Sequence, residues 1–330
     1  MSVPIRAGIL GYGFAGRGFH AYLLTHEPRI GLHAVATRDP VRRERAARDY
    51  GCRTYATLDE LLADDEVDLV IIATPHHVHA QQAVAVMNAG KHCVCDKVMC
   101  LTSEEAAAML AARDRNQVLL SIFHNRRWDG DFLTIRRALA AGLIGTLRLL
   151  EIGIWRYGAP RSWRGEKAAV GSIMHDWGAH FVDWILNLLP GPVESVTGIF
   201  HKRLWHDVTN EDQGQAILRF AGGRIAELQI SSIAAVARPK WRILGTQGGL
   251  IGEWDKPLQV VSYVNGRREE RSVPTAKSRW DAYYYNVADH LLSGEPLAVT
   301  AESARRVIAV LEAATRSGES GRSEEVAGEG

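Results

Sequence analysis

"IRAGILGYGFAGRGFH" (residues 5–20) decides the reading of this chain. It sets a buried apolar run, Ile5–Leu10, against glycines at 11, 13 and 16 in the spacing G-x-G-x-x-G, followed at once by a helix-forming stretch. A strand that turns on glycines into a helix brings backbone N–H groups close to an anion. Gly11 permits the tight turn, Gly13 keeps the backbone accessible, and Gly16 lets the helix pack closely. Phe14 and Ala15 complete the loop. The expected ligand is the pyrophosphate of a dinucleotide.

The surrounding 124 residues support this reading. Apolar runs at 32–37, 67–74, 92–97 and 118–123 alternate with amphipathic stretches at 40–51, 77–90 and 103–116. That alternation predicts a doubly wound parallel sheet. Beyond residue 124 the texture changes. A helix near 130–141 and a long strand at 146–157 precede a loop rich in Gly, Arg and Trp and a helix from about 176. Residues 193–264 are strand-like, with a Gly-Gly turn in "FAGGRIAELQISSIAAV", and two helices follow near 280–293 and 302–316. The expected architecture is an α/β chain of two domains. Residues 1–124 form the dinucleotide-binding domain, and 125–318 form an α+β substrate and oligomerisation domain on an open, largely antiparallel sheet. Residues 319–330 are a polar, Gly-rich tail expected to be disordered.

Bulk properties narrow the function. The chain has 330 residues, 46% hydrophobic and 23% charged, with formal net charge +1. No strong field favours nucleic acid or an anionic membrane, and no apolar run is long enough to span a bilayer. No basic segment leads into a long apolar run at the start, so a cytoplasmic location is expected. Three of the four cysteines fall in "CVCDKVMC" (93–100). Cys93 and Cys95 alternate within a strand, as packing residues do, and no Cys-x-x-Cys pair is present. The spacing of His175, Asp176 and His180 does not put both histidines on one helix face, so no metal site is expected.

The end of the second strand should select the dinucleotide, because an acidic residue there takes a ribose hydroxyl and an arginine takes a 2′-phosphate. In "VATRDP" (35–40), Thr37 and Arg38 occupy the strand end. Asp39, before Pro40, suits a helix N-cap. NADP is favoured, with NAD the alternative if Asp39 turns to the ribose. In the second half, Asp176, His180, Asp183 and Asn187 form one polar stripe on an otherwise apolar helix. A histidine there suits proton transfer to an alkoxide or carbonyl. "WRYGAPRSWRGEK" (155–167) offers flat aromatic faces, Tyr157 among them, that suit sugar rings. Tyr283, near a helix start, is a further candidate for substrate contact or for packing.

With these motifs in view, the chain resembles the Gfo/Idh/MocA oxidoreductases. The likeness runs through "GILGYGFAG", "ATPHHVH", "AGKHCVCDKVM", "HNRRWDGDFLTI" and "HDWGAHFVDW", and "FHNRRWD" looks most like the NADP-dependent scyllo-inositol dehydrogenase branch. The resemblance implies a Rossmann domain and a sheet domain used for oligomer contacts, as a homodimer or homotetramer. It implies hydride transfer between a nicotinamide and a secondary alcohol or ketone of a sugar, sugar derivative or polyol. Two alternatives stay open: a redox-neutral sugar- or glycoside-modifying enzyme with retained nicotinamide, and a non-catalytic dinucleotide-binding regulator.

By the same resemblance Lys97, Asp176 and His180 are the catalytic set and also meet substrate. His180 is the expected acid/base, Lys97 polarises the substrate oxygen, and Asp176 orients His180 or holds a hydroxyl. Thr74, Pro75, His79, Asp96, Asn125, Arg127, Trp163 and Arg164 border the cofactor, with Arg127 also toward substrate. The family's Glu-Lys-Pro falls on Asp96-Lys97-Val98, so this chain carries a shorter acid and lacks the proline. A cis bond before a residue other than proline costs about 2.5–4 kcal/mol, so a trans bond is expected before Val98.

Overall fold

A computed structural model describes residues 5–328. The chain forms two compact units. The first holds the residues up to Asn125 together with Trp280–Arg305; the second holds Arg126–Arg279 and the chain after Arg306.

In the first unit β1 (Ile5–Leu10) leads through the glycine loop into a π-helical stretch, Gly16–Ala21, that continues as α1 (Tyr22–Leu24). The succession is β2 (Ile30–Ala36), α2 (Pro40–Tyr50), β3 (Arg53–Tyr55), α3 (Leu58–Leu62), β4 (Leu69–Ile72), α4 (His79–Asn88), β5 (His92–Cys95), α5 (Ser103–Asn116) and β6 (Leu120–Ile122). The six strands are parallel in the order β3-β2-β1-β4-β5-β6. The order reverses at β1 and β4, the place where such sheets bind ligands. Caps stop the helices where the sequence places them. Asp39 accepts from the N–H groups of Val41 and Arg42 ahead of Pro40, and Gly51 closes α2 at φ +63°. The short edge strand β3 carries too little apolar sequence to be read as one. All four cysteines are buried and outside any disulfide, and burial raises the pKa of Cys93 and Cys95.

The second unit opens with α6 (Gly130–Ala140), β7 (Leu147–Trp155), α7 (Lys167–Val170) and α8 (Ile173–Leu188). Seven strands follow: β8 (Val193–His201), β9 (Gln213–Phe220), β10 (Arg224–Ser231), β11 (Trp241–Gly245), β12 (Gly248–Gly252), β13 (Leu258–Val264) and β14 (Arg267–Val273). With β7 they form one sheet, β14-β13-β12-β11-β7-β10-β9-β8, antiparallel except where β7 meets β10. α8 packs on β7, β9 and β10, and its Phe181, Trp184 and Ile185 are fully buried. Under these rings Lys240 Nζ lies 2.5 Å from Asp131 Oδ2 and 3.4 Å from the centroid of Trp254, and Trp241 Nε1 donates to the same carboxylate oxygen. Burial lowers the Lys240 pKa while the Asp131 charge opposes the shift.

Two expectations are revised. α9 (Ala282–Ser293) belongs to the first unit, so the chain returns to the nucleotide-binding fold after building the second. Its Tyr283 and Tyr284 are buried there, and burial rather than chain order decides membership. The tail does not hang free over its described residues. α10 (Ala301–Ser320) runs on to Ser320, Glu324 pairs with Val196 at the edge strand β8, and Val326 is buried. An unsatisfied strand edge and one apolar side chain order a segment whose composition reads as solvated.

Candidate active site

The glycine loop shows why each glycine is there. Gly11 sits at φ +92°, and a Cβ on it would lie 2.5 Å from the Ala73 carbonyl oxygen. A Cβ on Gly16 would lie 2.0 Å from the Gly11 oxygen, so close packing forbids a side chain at either position. Gly13 differs. A Cβ there would meet nothing nearer than Arg42 Nη1 at 3.6 Å, which leaves open space above the loop backbone. Phe14 is exposed and Ala15 half-buried, so no side chain closes that space. The loop therefore fits a dinucleotide pyrophosphate, which would take the backbone N–H groups at the start of the helix.

At the end of β2, Asp39 caps α2 through Oδ1, while its Oδ2 lies 3.0 Å from Arg42 Nε. Arg43 is tied to the carbonyl oxygens of Thr37 and Arg38. Arg38 is exposed. The acid that would take a ribose hydroxyl is thus engaged with its own helix, and Arg42 reaches the loop's mouth.

Past β4, Thr74 Oγ1 donates to Gln82 Oε1, and Pro75 starts the turn into α4. His79 is fully buried. Its Nδ1 is 2.7 Å from the Val98 oxygen and its Nε2 is 2.8 Å from the Thr74 oxygen. Burial lowers its pKa, against the pull of those two carbonyls and the Asp96 charge. His79 therefore ties the β4 loop to the β5 loop and presents no free edge to a ligand.

The β5 loop corrects the trans expectation: the Lys97–Val98 bond is cis. Local preference yields to the surroundings, because Val98 is 1% exposed, its carbonyl meets His79, and Cys95 Sγ approaches the Met99 oxygen. Asp96 Oδ1 accepts the Lys97 N–H at 2.8 Å. Burial alone would raise the Asp96 pKa. His20, whose Nε2 lies 3.8 Å from Oδ2, together with nearby Lys97 and His79, holds it below the ordinary carboxylate value. Lys97 stands at the carboxyl end of β5, in the unit that carries the glycine loop. Asn125 is buried just after β6.

The second unit carries the other candidates. α8 starts three residues earlier than the sequence suggests, because Ser172 caps Met174 N and Gly171 takes φ +95°. Asp176 and His180 lie one turn apart on it; His180 is 5% exposed, with the Trp177 ring 5.9 Å away. Asp176 Oδ2 is 3.2 Å from Arg164 Nε, and Arg164 lies over the Trp163 ring at 4.5 Å. Arg127 forks onto Asp183, with Nε 2.9 Å and Nη2 2.6 Å from its oxygens. A cavity of about 440 Å³ opens beside α8, lined in part by Asp176, Trp177, Arg156, Arg164, Asn210 and Ser232. Tyr157 is exposed and edges against Trp205. Tyr283 is corrected to packing: it is 1% exposed and its hydroxyl donates to Ser121 Oγ.

Sequence reasoning missed His20 and Arg156; Tyr284 was a candidate only with its neighbour Tyr283, for substrate contact or packing. His20 lies one turn after Gly16 among apolar neighbours, and a polar residue on a buried face was the available signal.

A parallel sheet ordered 3-2-1-4-5-6 with an open glycine loop at its switch point defines a dinucleotide-binding Rossmann fold. Comparison with known proteins makes this specific. Residues 5–124 match the oxidoreductase family's NAD-binding Rossmann fold, and residues 132–251 match the GFO/IDH/MocA C-terminal domain. The chain belongs to the Gfo/Idh/MocA family. It is 29% identical to the NADP(+)-dependent scyllo-inositol 2-dehydrogenase of Bacillus subtilis, over 95% of this chain and 93% of that one. It is 26% identical to inositol 2-dehydrogenase of Rhizobium meliloti, over 96% and 97%. The crystal structure of an NAD-binding protein from Listeria innocua superposes with a TM-score of 0.90 at 29% identity, covering 98% of each chain. No helix among the described residues is long and apolar enough to cross a membrane.

Proposed function

We propose that this chain transfers a hydride between NADP and a secondary alcohol or ketone of a polyol or sugar, an inositol-like ring among the candidates. The observation that carries the reading is Lys97 at the carboxyl end of β5, in the same unit as a glycine loop with room for the pyrophosphate. The bound nicotinamide supplies or accepts the hydride. Lys97, as an ammonium, donates to the substrate oxygen and favours the charge that develops there. His180 takes the hydroxyl proton in oxidation and returns it in reduction. Asp176, paired with Arg164, holds a neighbouring hydroxyl. Similarity to the two inositol dehydrogenases supports the substrate class. The capping role of Asp39, beside exposed Arg38, supports NADP over NAD.

The sheet of the second unit leaves Ile199, Ile225, Ile251 and Tyr263 exposed, which supports a homodimer or homotetramer formed through it. Light scattering coupled to size exclusion tests that assignment, and a monomer at micromolar concentration removes it.

The enzymatic test is a panel of inositols, aldoses, ketoses and anhydrosugars, each with NADP and with NAD, followed by nicotinamide absorbance. Lys97→Ala and His180→Asn should each lower kcat by about 10²–10⁴-fold. Unchanged activity in both variants removes the catalytic assignment. A preference for NAD removes the cofactor assignment alone.

A further inference from the structure

Behind Lys97 the first unit holds a polar chain that no sequence motif announces. Three elements supply it. His20 comes from the helix after the glycine loop, Tyr284 from α9, and Asp96 from the end of β5. Tyr284 and His20 are both 0% exposed. The Tyr284 hydroxyl lies 2.6 Å from His20 Nδ1. His20 Nε2 faces Asp96 Oδ2 at 3.8 Å. Asp96 Oδ1 accepts the Lys97 N–H at 2.8 Å.

The donors run in one direction. A carboxylate can only accept, so the His20 Nε2 that faces Asp96 carries the ring proton. With that tautomer Nδ1 is bare and accepts from the Tyr284 hydroxyl. The His20 ring cannot swing away, because Phe123 packs on it with centroids 4.3 Å apart and Tyr283 backs Phe123 at 4.9 Å. A buried acid without such support loses its charge or its orientation.

We propose that Asp96 is a positioning residue for Lys97, and that Tyr284 and His20 hold its carboxylate in place. The Asp96 side chain then acts on the Lys97 backbone from one side, while His79 holds the Val98 carbonyl on the other. The proposal rests on the reading of Lys97 as the group that meets the substrate oxygen. It gives His20 and Tyr284, which lie outside the family motifs quoted above, a role in the reaction.

The test uses Tyr284→Phe, which deletes one hydroxyl, and His20→Leu, which deletes the ring nitrogen that faces Asp96. Tyr284→Phe should lower kcat by about three- to ten-fold, and His20→Leu by more. KM for the substrate and Kd for the dinucleotide should stay within about two-fold in both. A second readout needs no turnover. Lysines are reductively methylated with ¹³C, the Lys97 signal is assigned by its loss in Lys97→Met, and its shift and line width are followed in each variant. Both variants should move or broaden that signal. An unmoved Lys97 signal in both overturns the proposal, as does a loss that appears in dinucleotide affinity and melting temperature with kcat unchanged. Because the lysine spectrum is read without catalysis, failure of the oxidoreductase reading is separable from failure of this one.

Discussion

Asp39 and Arg42 form a closed pair at the mouth of the glycine loop: Arg42 Nε lies 3.0 Å from Asp39 Oδ2, while Asp39 Oδ1 caps the helix on which Arg42 sits. The pair takes the one acidic side chain at this strand end away from a ribose hydroxyl. It also keeps a guanidinium 3.6 Å from where a Gly13 side chain would begin. Replacing Arg38 and Arg42 together by Ala should therefore lower kcat/KM for NADPH by about 10–100-fold and leave NADH within about three-fold, since each charged hydrogen bond to a phosphate contributes about 1.5–3 kcal/mol. Paired assays with the two coenzymes read the ratio. An unchanged ratio assigns the 2′-phosphate elsewhere.

Gly13 and Gly16 should separate binding from folding. Gly13→Ala meets no protein atom within 3.4 Å, so its melting temperature should stay within about 2 °C of the parent while dinucleotide affinity falls by at least about ten-fold. Gly16→Ala drives a methyl into the Gly11 carbonyl and should destabilise the first unit by more than about 3 kcal/mol. Calorimetry with dinucleotide titration measures both. A Gly13→Ala variant that binds normally contradicts the open-loop reading.

The buried Lys240–Asp131 pair anchors the aromatic core of the second unit. Lys240→Ala leaves the Asp131 charge without its cation, with the Trp241 N–H still donating to it, and should cost about 3–5 kcal/mol. Denaturant melts of that variant and of Lys240→Met/Asp131→Leu check this, with the double variant recovering part of the loss.

Acid should weaken the first unit through Asp64. Burial would raise its pKa, but Tyr55, His33, Arg53 and the Glu66 N–H bind the carboxylate and lower it well below the ordinary value. A depressed folded pKa gives stability that is fully present above the unfolded value of about 3.9 and lost as pH falls through the folded one. Asp64→Asn should flatten the stability profile below about pH 4 and lower stability at neutral pH. A profile as steep as the parent's assigns the acid sensitivity to other groups.

Much of the site was legible because it depends on local chemistry. The glycine spacing, the Asp39-Pro40 cap and the Asp176–His180 stripe each follow from neighbours a few residues apart, and backbone conformation and helical period act over that range. Arg127 was expected, from the family resemblance, beside cofactor and substrate. Its fork onto Asp183, 56 residues away, depends on how α8 packs. The Lys97–Val98 bond was misread for the same reason: local energetics favour trans, and contacts from His79 and the buried Val98 decide otherwise.

By itself the sequence determined the parallel α/β fold of the first unit and its dinucleotide-binding class, the sheet-rich second unit and the oxidoreductase family. Strand period, turn glycines and helix caps are short-range properties written residue by residue. Only the tertiary structure decided that α9 returns to the first unit, that Val326 and Glu324 order the tail, and that Tyr284, His20 and Asp96 line up behind Lys97. Those outcomes pair residues up to 264 positions apart, and what selects them is the cost of leaving a buried polar group or an apolar side chain without a partner.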